Sequence, residues 1–202
     1  MKLYFSPGTC SLSPHIVARE LGIDVTLVKV DLASKKTDDG RDYASINPKG
    51  YVPALELDDG TLLTEGTAIV HYLADQSPEA PRPGSLERFR LQETLAYIST
   101  ELHKTYGPLF RPTVTPQVRA ESVAYLQRRY ALIERQLAGG AWLFGEEFTI
   151  ADAYLFVVTN WAGMVNVDLA EFPNLRAFQA RAAARPAVRE AMVAEGLLPA
   201  SA

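Results

Sequence analysis

Tyr51-Val52-Pro53-Ala54-Leu55-Glu56-Leu57 is the stretch on which the fold turns. Its β-branched and apolar residues read as a strand, yet a proline cannot donate to a strand ladder and is confined to a first position, an edge or a bulge. A proline that opens the strand, with a cis bond to Val52, would present the N–H and C=O of Val52 outward, where an extended peptide could pair with them. Downstream, Asp58-Asp59-Gly60 separates Leu55-Glu56-Leu57 from Thr61-Leu62-Leu63. An Asp-Gly pair is a two-residue hairpin signal because both turn positions favour positive φ, so these two strands are expected to be antiparallel. Thr64-Glu65-Gly66 then opens an apolar helical pattern over Glu65 to Asp75, with Ala68, Ile69, Tyr72 and Leu73 on one face. A carboxylate and backbone donors of a helix start would thus stand beside the outward edge.

Upstream, Lys2-Leu3-Tyr4-Phe5, a helical run from Ser13 to Leu21 and a strand from Val25 to Val30 make a βαβ beginning. Gly8-Thr9-Cys10-Ser11 lies between the first strand and that helix, so Cys10 falls at the helix's positive end, a place that favours an anionic sulfur. Lowering a thiol pKa by two pH units takes about 2.7 kcal/mol, more than a helix dipole supplies at an exposed site. A second donor is therefore expected, and His103 is the candidate. A lone cysteine is otherwise a common inert core residue. The Pro-Gly-rich turn and the small Ser11 after it favour the reactive reading. Cys10-Ser11-Leu12-Ser13 is also a C-x-x-C pattern with serine replacing the second cysteine, able to form a mixed disulfide but not to resolve it. Together these features read as a site for a small thiol peptide, with a protein sulfur beside the peptide's own.

Ser77-Pro78-Glu79-Ala80-Pro81-Arg82-Pro83-Gly84-Ser85 holds three prolines and a glycine and reads as a linker. The division expected is residues 1–77, a linker over 78–86, and an all-helical domain over 87–202. Helices are expected at about 86–110, 117–137, 149–167, 173–184 and 186–195. Thr149-Ile150-Ala151-Asp152 has the spacing of a capping box, so Asp152 is read as a helix cap rather than a catalytic acid.

The 202 residues are 48% hydrophobic, enough for a buried core in one or two domains, and no apolar run reaches the roughly 18 residues of a membrane span. Twenty basic against 24 acidic residues, with no basic block, argue against nucleic acid as a partner. A single cysteine excludes an intrachain disulfide framework and makes a reducing compartment, the cytoplasm, the expectation. His15, His71 and His103 are scattered and lack zinc-type spacing with Cys10, so no metal is expected. His15 and His71 read as structural.

Four segments in this order resemble the bacterial beta-class glutathione S-transferases. They are Lys2 to Ser11, Asn47-Pro48-Lys49-Gly50-Tyr51-Val52-Pro53-Ala54-Leu55, Glu101-Leu102-His103-Lys104, and Phe148-Thr149-Ile150-Ala151-Asp152-Ala153-Tyr154. The resemblance implies an α/β thioredoxin-like N-terminal domain followed by an all-α C-terminal domain, a homodimer, and glutathione as co-substrate bound between the domains. It implies that Val52 pairs its backbone with the cysteinyl part of glutathione next to cis-Pro53. Glu65 would accept the γ-glutamyl ammonium, the N–H of Gly66 would hold the adjoining carboxylate, and Lys35 would meet the glycyl carboxylate. Many relatives carry serine where this chain has Gly66, tyrosine at Phe5, and at Ala96 an asparagine that reaches glutathione across the dimer. Thr100 and His103, three apart on the first helix of the helical domain, are expected to share a face above Cys10.

Transfer of glutathione to a small hydrophobic electrophile is the leading expectation, with Cys10, Ser11 and His103 stabilising the glutathione thiolate and Tyr106, Phe110 and Trp161 lining the electrophile's cleft. A second expectation makes Cys10 the nucleophile of a thiol reductase, peroxidase or reductive dehalogenase acting through a mixed disulfide. A third, of a different class, is a non-catalytic module that binds glutathione or a protein.

Overall fold

Strands β1 (Lys2–Phe5), β2 (Thr26–Asp31), β3 (Lys36–Thr37), β4 (Ala54–Glu56) and β5 (Leu62–Thr64) form one mixed sheet in the order β3-β2-β1-β4-β5. β1 runs parallel to β2 and antiparallel to β4, and β5 returns antiparallel to β4, with Tyr4 opposite Ala54 and Ala54 opposite Thr64. The coordinates are a computed structural model and describe residues 1–199. Alternation along β1 divides the two sides of the sheet. Tyr4 joins Val28, Val30, Tyr43, Val52 and Ala54 in one buried cluster. Phe5, one residue on, faces the other way and meets the His15 ring of α1 (Leu12–Glu20) at 6.5 Å. Helix α3 (Gly66–Ala74) packs beside α1 and against β4 and β5.

The parallel and antiparallel pairings expected around the proline strand are all present, and the Val52–Pro53 bond is cis. Three details differ. The strand begins at Ala54, with Tyr51 to Pro53 as an extended lead-in. The hairpin loop is three residues, not two: the N–H of Leu57 donates to the Thr61 carbonyl at 2.9 Å and the N–H of Gly60 to the Leu57 carbonyl at 3.0 Å. In that loop Gly60 has φ +85° while Asp59 stays right-handed, its carboxylate accepting the Thr61 N–H at 2.8 Å. β3 and the short α2 (Tyr43–Ile46), capped by Asp42 on the Ala44 N–H at 3.0 Å, were not expected. Two to four residues are too few for a periodic signal.

The chain divides into two compact units, Met1–Ala80 with the segment from Ala184 onward, and Pro81–Ala183. That assignment differs from the sequence-based division, which kept everything after the linker together. Helix α9 (Pro186–Ala194) packs on α1, buries Val188 and Ala191, and is anchored by a bidentate Arg185–Glu20 ion pair at 2.6 and 2.8 Å. Periodicity marks a segment as helix without naming the surface it covers.

The second unit holds α4 (Leu86–Tyr97), a π-helical stretch Ile98–His103, α5 (Lys104–Tyr106), a 3-10 turn Gly107–Phe110, α6 (Pro116–Leu137), α7 (Ile150–Met164) and most of α8 (Pro173–Ala184). Ser85 and Thr115 cap α4 and α6 through the N–H groups of Arg88 and Val118. α7 is buried on all sides from Ile150 to Thr159, as its apolar composition requires. At its start Asp152 accepts the N–H and hydroxyl of Thr149 at 2.8 and 2.7 Å and the N–H of Leu143 at 2.9 Å. The capping role read for Asp152 is thus realised, and burial raises its pKa above the ordinary carboxyl value. The single helix expected over 86–110 is interrupted by the wider π turn, which no glycine or proline between 98 and 103 announces. Among the described residues no helix is long and apolar enough to cross a membrane.

Candidate functional site

In the first unit, the turn between β1 and α1 presents Cys10 half-buried, two residues ahead of the helix. Its Sγ lies 3.3 Å from the Val52 carbonyl, an arrangement in which a thiol donates. The turn is tied internally: the Thr9 hydroxyl donates to the Ser6 carbonyl at 2.8 Å, and Ser11 Oγ accepts the Ser6 N–H at 3.1 Å and lies 2.8 Å from Thr9 Oγ1. Ser11 is fully buried. Its hydroxyl holds the loop that carries the thiol, a role the sequence alone does not show. Glu195, just past α9, accepts the Gly8 N–H at 3.0 Å and bonds His15 Nδ1 at 3.0 Å, so the C-terminal segment also fastens this loop. His15 is wholly buried, as a structural histidine should be.

Beside Cys10, the approach to β4 is pinned from behind. Asn47 Nδ2 and the Tyr43 hydroxyl both donate to the Tyr51 carbonyl, at 2.8 and 3.0 Å. The N–H of Val52 has no hydrogen-bond partner among the described residues. Glu65, at the N-cap of α3, has φ +71°, a left-handed value that costs a non-glycine residue on the order of 1–3 kcal/mol and is typical of constrained sites. Its carboxylate is bonded by Lys49 Nζ and, at 2.7 Å, by the Tyr51 hydroxyl. The hydrogen bond to Glu65 raises the pKa of both partners. Gly66 packs against Pro53, where an added Cβ would sit 3.6 Å from Cγ, an ordinary contact. Lys35, exposed and with φ +56°, donates to the Gly50 carbonyl at 2.7 Å. The fold therefore gathers Cys10, Val52, Pro53 and Gly66 into one neighbourhood of the first unit. Glu65 adjoins Gly66 along the chain, and Lys35 reaches the Gly50 end of the same loop.

In the second unit, His103 closes the π stretch and is half-buried. Its Nδ1 lies 2.6 Å from the Tyr154 hydroxyl and its ring stands edge-on to Trp161 at 4.8 Å. Desolvation lowers its pKa to about 4, with Lys104 adding to the effect, so the ring is neutral at ordinary pH. The Thr100 hydroxyl donates back to the Ala96 carbonyl at 3.1 Å, within a stretch that makes π rather than α turns. Tyr106, Phe110 and Trp161 do converge, with ring centres 5.7–6.5 Å apart. Only Phe110 of the three is exposed. Tyr106 is fully buried with its hydroxyl 2.8 Å from that of Tyr130, so it backs the cluster rather than lining a surface.

The glutathione S-transferase N-terminal domain model matches residues 8–76 and the corresponding C-terminal domain model residues 97–186. Glutathione S-transferase GstA of Escherichia coli O157:H7 is 49% identical over 201 residues, covering 98% of this chain and all of the relative. The chain belongs to the glutathione S-transferase family. A sphingomonad glutathione S-transferase solved in complex with glutathione superposes with a TM-score of 0.93 at 45% identity, over 98% of this chain and 100% of that one. The beta-class glutathione S-transferase of Sphingomonas chungbukensis gives 0.93 at 44% identity over the same shares. This transferase is accordingly of the bacterial beta class, with the thioredoxin-like and helical domains of that fold. Sequence reasoning about the transferase overlooked Lys49 and Tyr51 at Glu65. In the sequence they stand only as a lysine and a tyrosine flanking Gly50, and the turn at Lys49 with the positive φ of Gly50, +67°, that brings both to Glu65 belongs to the folded chain.

Proposed function

We infer that this glutathione transferase takes glutathione as its substrate, the molecule bound in the sphingomonad relative's complex. We propose that glutathione lies extended along Val52, pairing with the N–H and C=O of that residue, and that its sulfur rests beside Cys10. The observation that carries this is the Cys10 sulfur 3.3 Å from the Val52 carbonyl, with the Val52 N–H left over for a ligand. Glu65 takes the γ-glutamyl ammonium, partly exchanging Lys49 for it, and the N–H of Gly66 at the start of α3 meets the neighbouring carboxylate. Lys35 meets the glycyl carboxylate. His103 donates a hydrogen bond to the glutathione sulfur, and Thr100 adds a polar contact from the helical unit. The second substrate is a small hydrophobic electrophile received at the exposed edge of Phe110, with Trp161 behind it. The working assembly is a homodimer in the cytoplasm, and the reaction needs no metal.

In conjugation the bound thiolate attacks the electrophile and the leaving group departs with the electron pair. The protein contributes alignment and stabilisation of the sulfur's charge. A second reading follows from the same closeness of sulfur to peptide edge. The Cys10 thiolate attacks the glutathione sulfur of a mixed disulfide between glutathione and an organic thiol, a Cys10–glutathione disulfide forms as the organic thiolate leaves, and a second glutathione thiolate then releases Cys10 with formation of glutathione disulfide. Cys10→Ala separates the two when assayed for conjugation of an electrophile panel and for disulfide exchange. A tenfold or greater loss of conjugation supports thiolate stabilisation. Retained conjugation with abolished exchange assigns the sulfur to redox chemistry, and retention of both refutes any role for Cys10.

A further inference from the structure

Residues 154 and 161 of α7 are seven apart, two turns along one face, and both touch the ring of His103. The Tyr154 and His103 rings meet edge-on with centres 5.9 Å apart, and Trp161 closes the ring edge-on at 4.8 Å. Tyr154 itself is buried, and its hydroxyl lies 2.6 Å from His103 Nδ1. A phenol O–H, with an ordinary pKa of about 10, is a far stronger acid than the N–H of neutral imidazole. An imidazole lone pair, protonated near pH 6.5, is in turn a far better acceptor than a phenol oxygen. The bond therefore runs from the Tyr154 O–H to Nδ1. A neutral imidazole carries one proton, which must then reside on Nε2. Turning the ring over would set a C–H against the hydroxyl, so rotation and tautomer exchange both break the same contact.

We propose that Tyr154 is a positioning residue of this transferase: by donating to Nδ1 it fixes the orientation and tautomer of His103 and leaves the Nε2 N–H as the ring's one donor. The proposal rests on the reading of His103 as hydrogen-bond donor to the glutathione sulfur. The scaffold suits the task. α7 is the buried helix of its unit, and Asp152 anchors its start one turn before Tyr154, so the hydroxyl is delivered by a rigid element.

Nitrogen NMR of the full chain labelled in histidine, at pH 7, tests the hold on the ring. The parent protein is expected to show His103 with a lone pair on Nδ1 and a proton on Nε2, and Tyr154→Phe to show a second population protonated on Nδ1. A proton on Nδ1 in the parent overturns the proposal without recourse to any variant, as do unchanged tautomer populations in Tyr154→Phe. Kinetics test the consequence. Tyr154→Phe should lower kcat about three- to tenfold, the range of one neutral hydrogen bond, with KM for glutathione within about twofold and little further loss when His103→Ala is added. Additive losses would overturn action through His103. Full activity of His103→Ala alone would instead refute the role of His103 and the kinetic consequence with it, while the nitrogen spectra decide the tautomer on their own.

Discussion

Removing the Glu195 carboxylate should unfasten the C-terminal segment from the loop that carries Cys10. Its two oxygens serve two groups, Oε1 with His15 Nδ1 and Oε2 with the Gly8 N–H, each at 3.0 Å, and both acidic and imidazole side chains are wholly buried. The Nε2 atom of His15 already has no partner among the described residues. In Glu195→Ala the buried ring therefore loses its remaining hydrogen bond. Taking the acceptor from a buried polar group costs about 1–3 kcal/mol, and Glu195→Ala takes it from two, the His15 ring and the Gly8 N–H. Taking about 4 kcal/mol and roughly 2–4 °C per kcal/mol for a chain of this size, Tm should fall by about 8–16 °C. Glu195→Gln, which keeps the volume and one acceptor, should lose about a third of that. Because Gly8 is two residues from Cys10, the thiol of Glu195→Ala should also react faster with an aromatic disulfide reagent well below its Tm. Circular dichroism melts and thiol titration read the two effects. A Tm within about 2 °C of the parent would refute the reasoning, since the carboxylate would then not be holding the loop.

Gly66→Ser should tighten glutathione binding about fivefold by calorimetry: the new Cβ fits against Pro53 at 3.6 Å and the hydroxyl adds a neutral hydrogen bond. Weaker binding would show that the first turn of α3 is not the carboxylate site. Asp152→Ala removes the acceptor of two N–H groups and a hydroxyl at 2.7–2.9 Å and should cost about 2–4 kcal/mol in urea unfolding. A loss below 1 kcal/mol would contradict the capping role. His103 has its pKa lowered to about 4 in the folded chain against about 6.5 when unfolded. Between those values the unfolded chain binds the extra proton, so stability should decline as pH drops from 6.5 towards 4, by at most on the order of 3 kcal/mol, and this contribution should flatten below 4. The histidine signals in NMR give the titration directly, and a His103 midpoint near 6.5 would refute the burial argument.

Much of the first unit could be read before the structure because its signals are local and chemical. Pro53 after a strand-like lead-in marked where a strand must begin, Asp59-Gly60 marked the return, and Cys10 between Phe5 and Leu12 marked a thiol at a helix start. What stayed hidden depends on long-range packing. Nothing in Pro186 to Ala194 states that this helix covers α1, and Glu195 gives no hint that its carboxylate will find Gly8 and His15 some 180 residues away in the chain. The π stretch from Ile98 to His103 carries no glycine or proline, so the α period runs through it unbroken in the sequence. The engagement of Ser11 with Ser6 and Thr9 likewise needs the folded turn to be seen. Tyr106 and Phe110 are alike in sequence terms, and only packing against Tyr130 makes one of them core.

A crystal structure of the chain soaked with glutathione addresses the central claim most directly. The account predicts density for the tripeptide with its cysteinyl N–H and C=O paired to the backbone of Val52, its ammonium at Glu65, and its sulfur beside that of Cys10, whether separate or bonded. Glutathione ordered elsewhere, with the Val52 edge and the Glu65 carboxylate untouched, would contradict it.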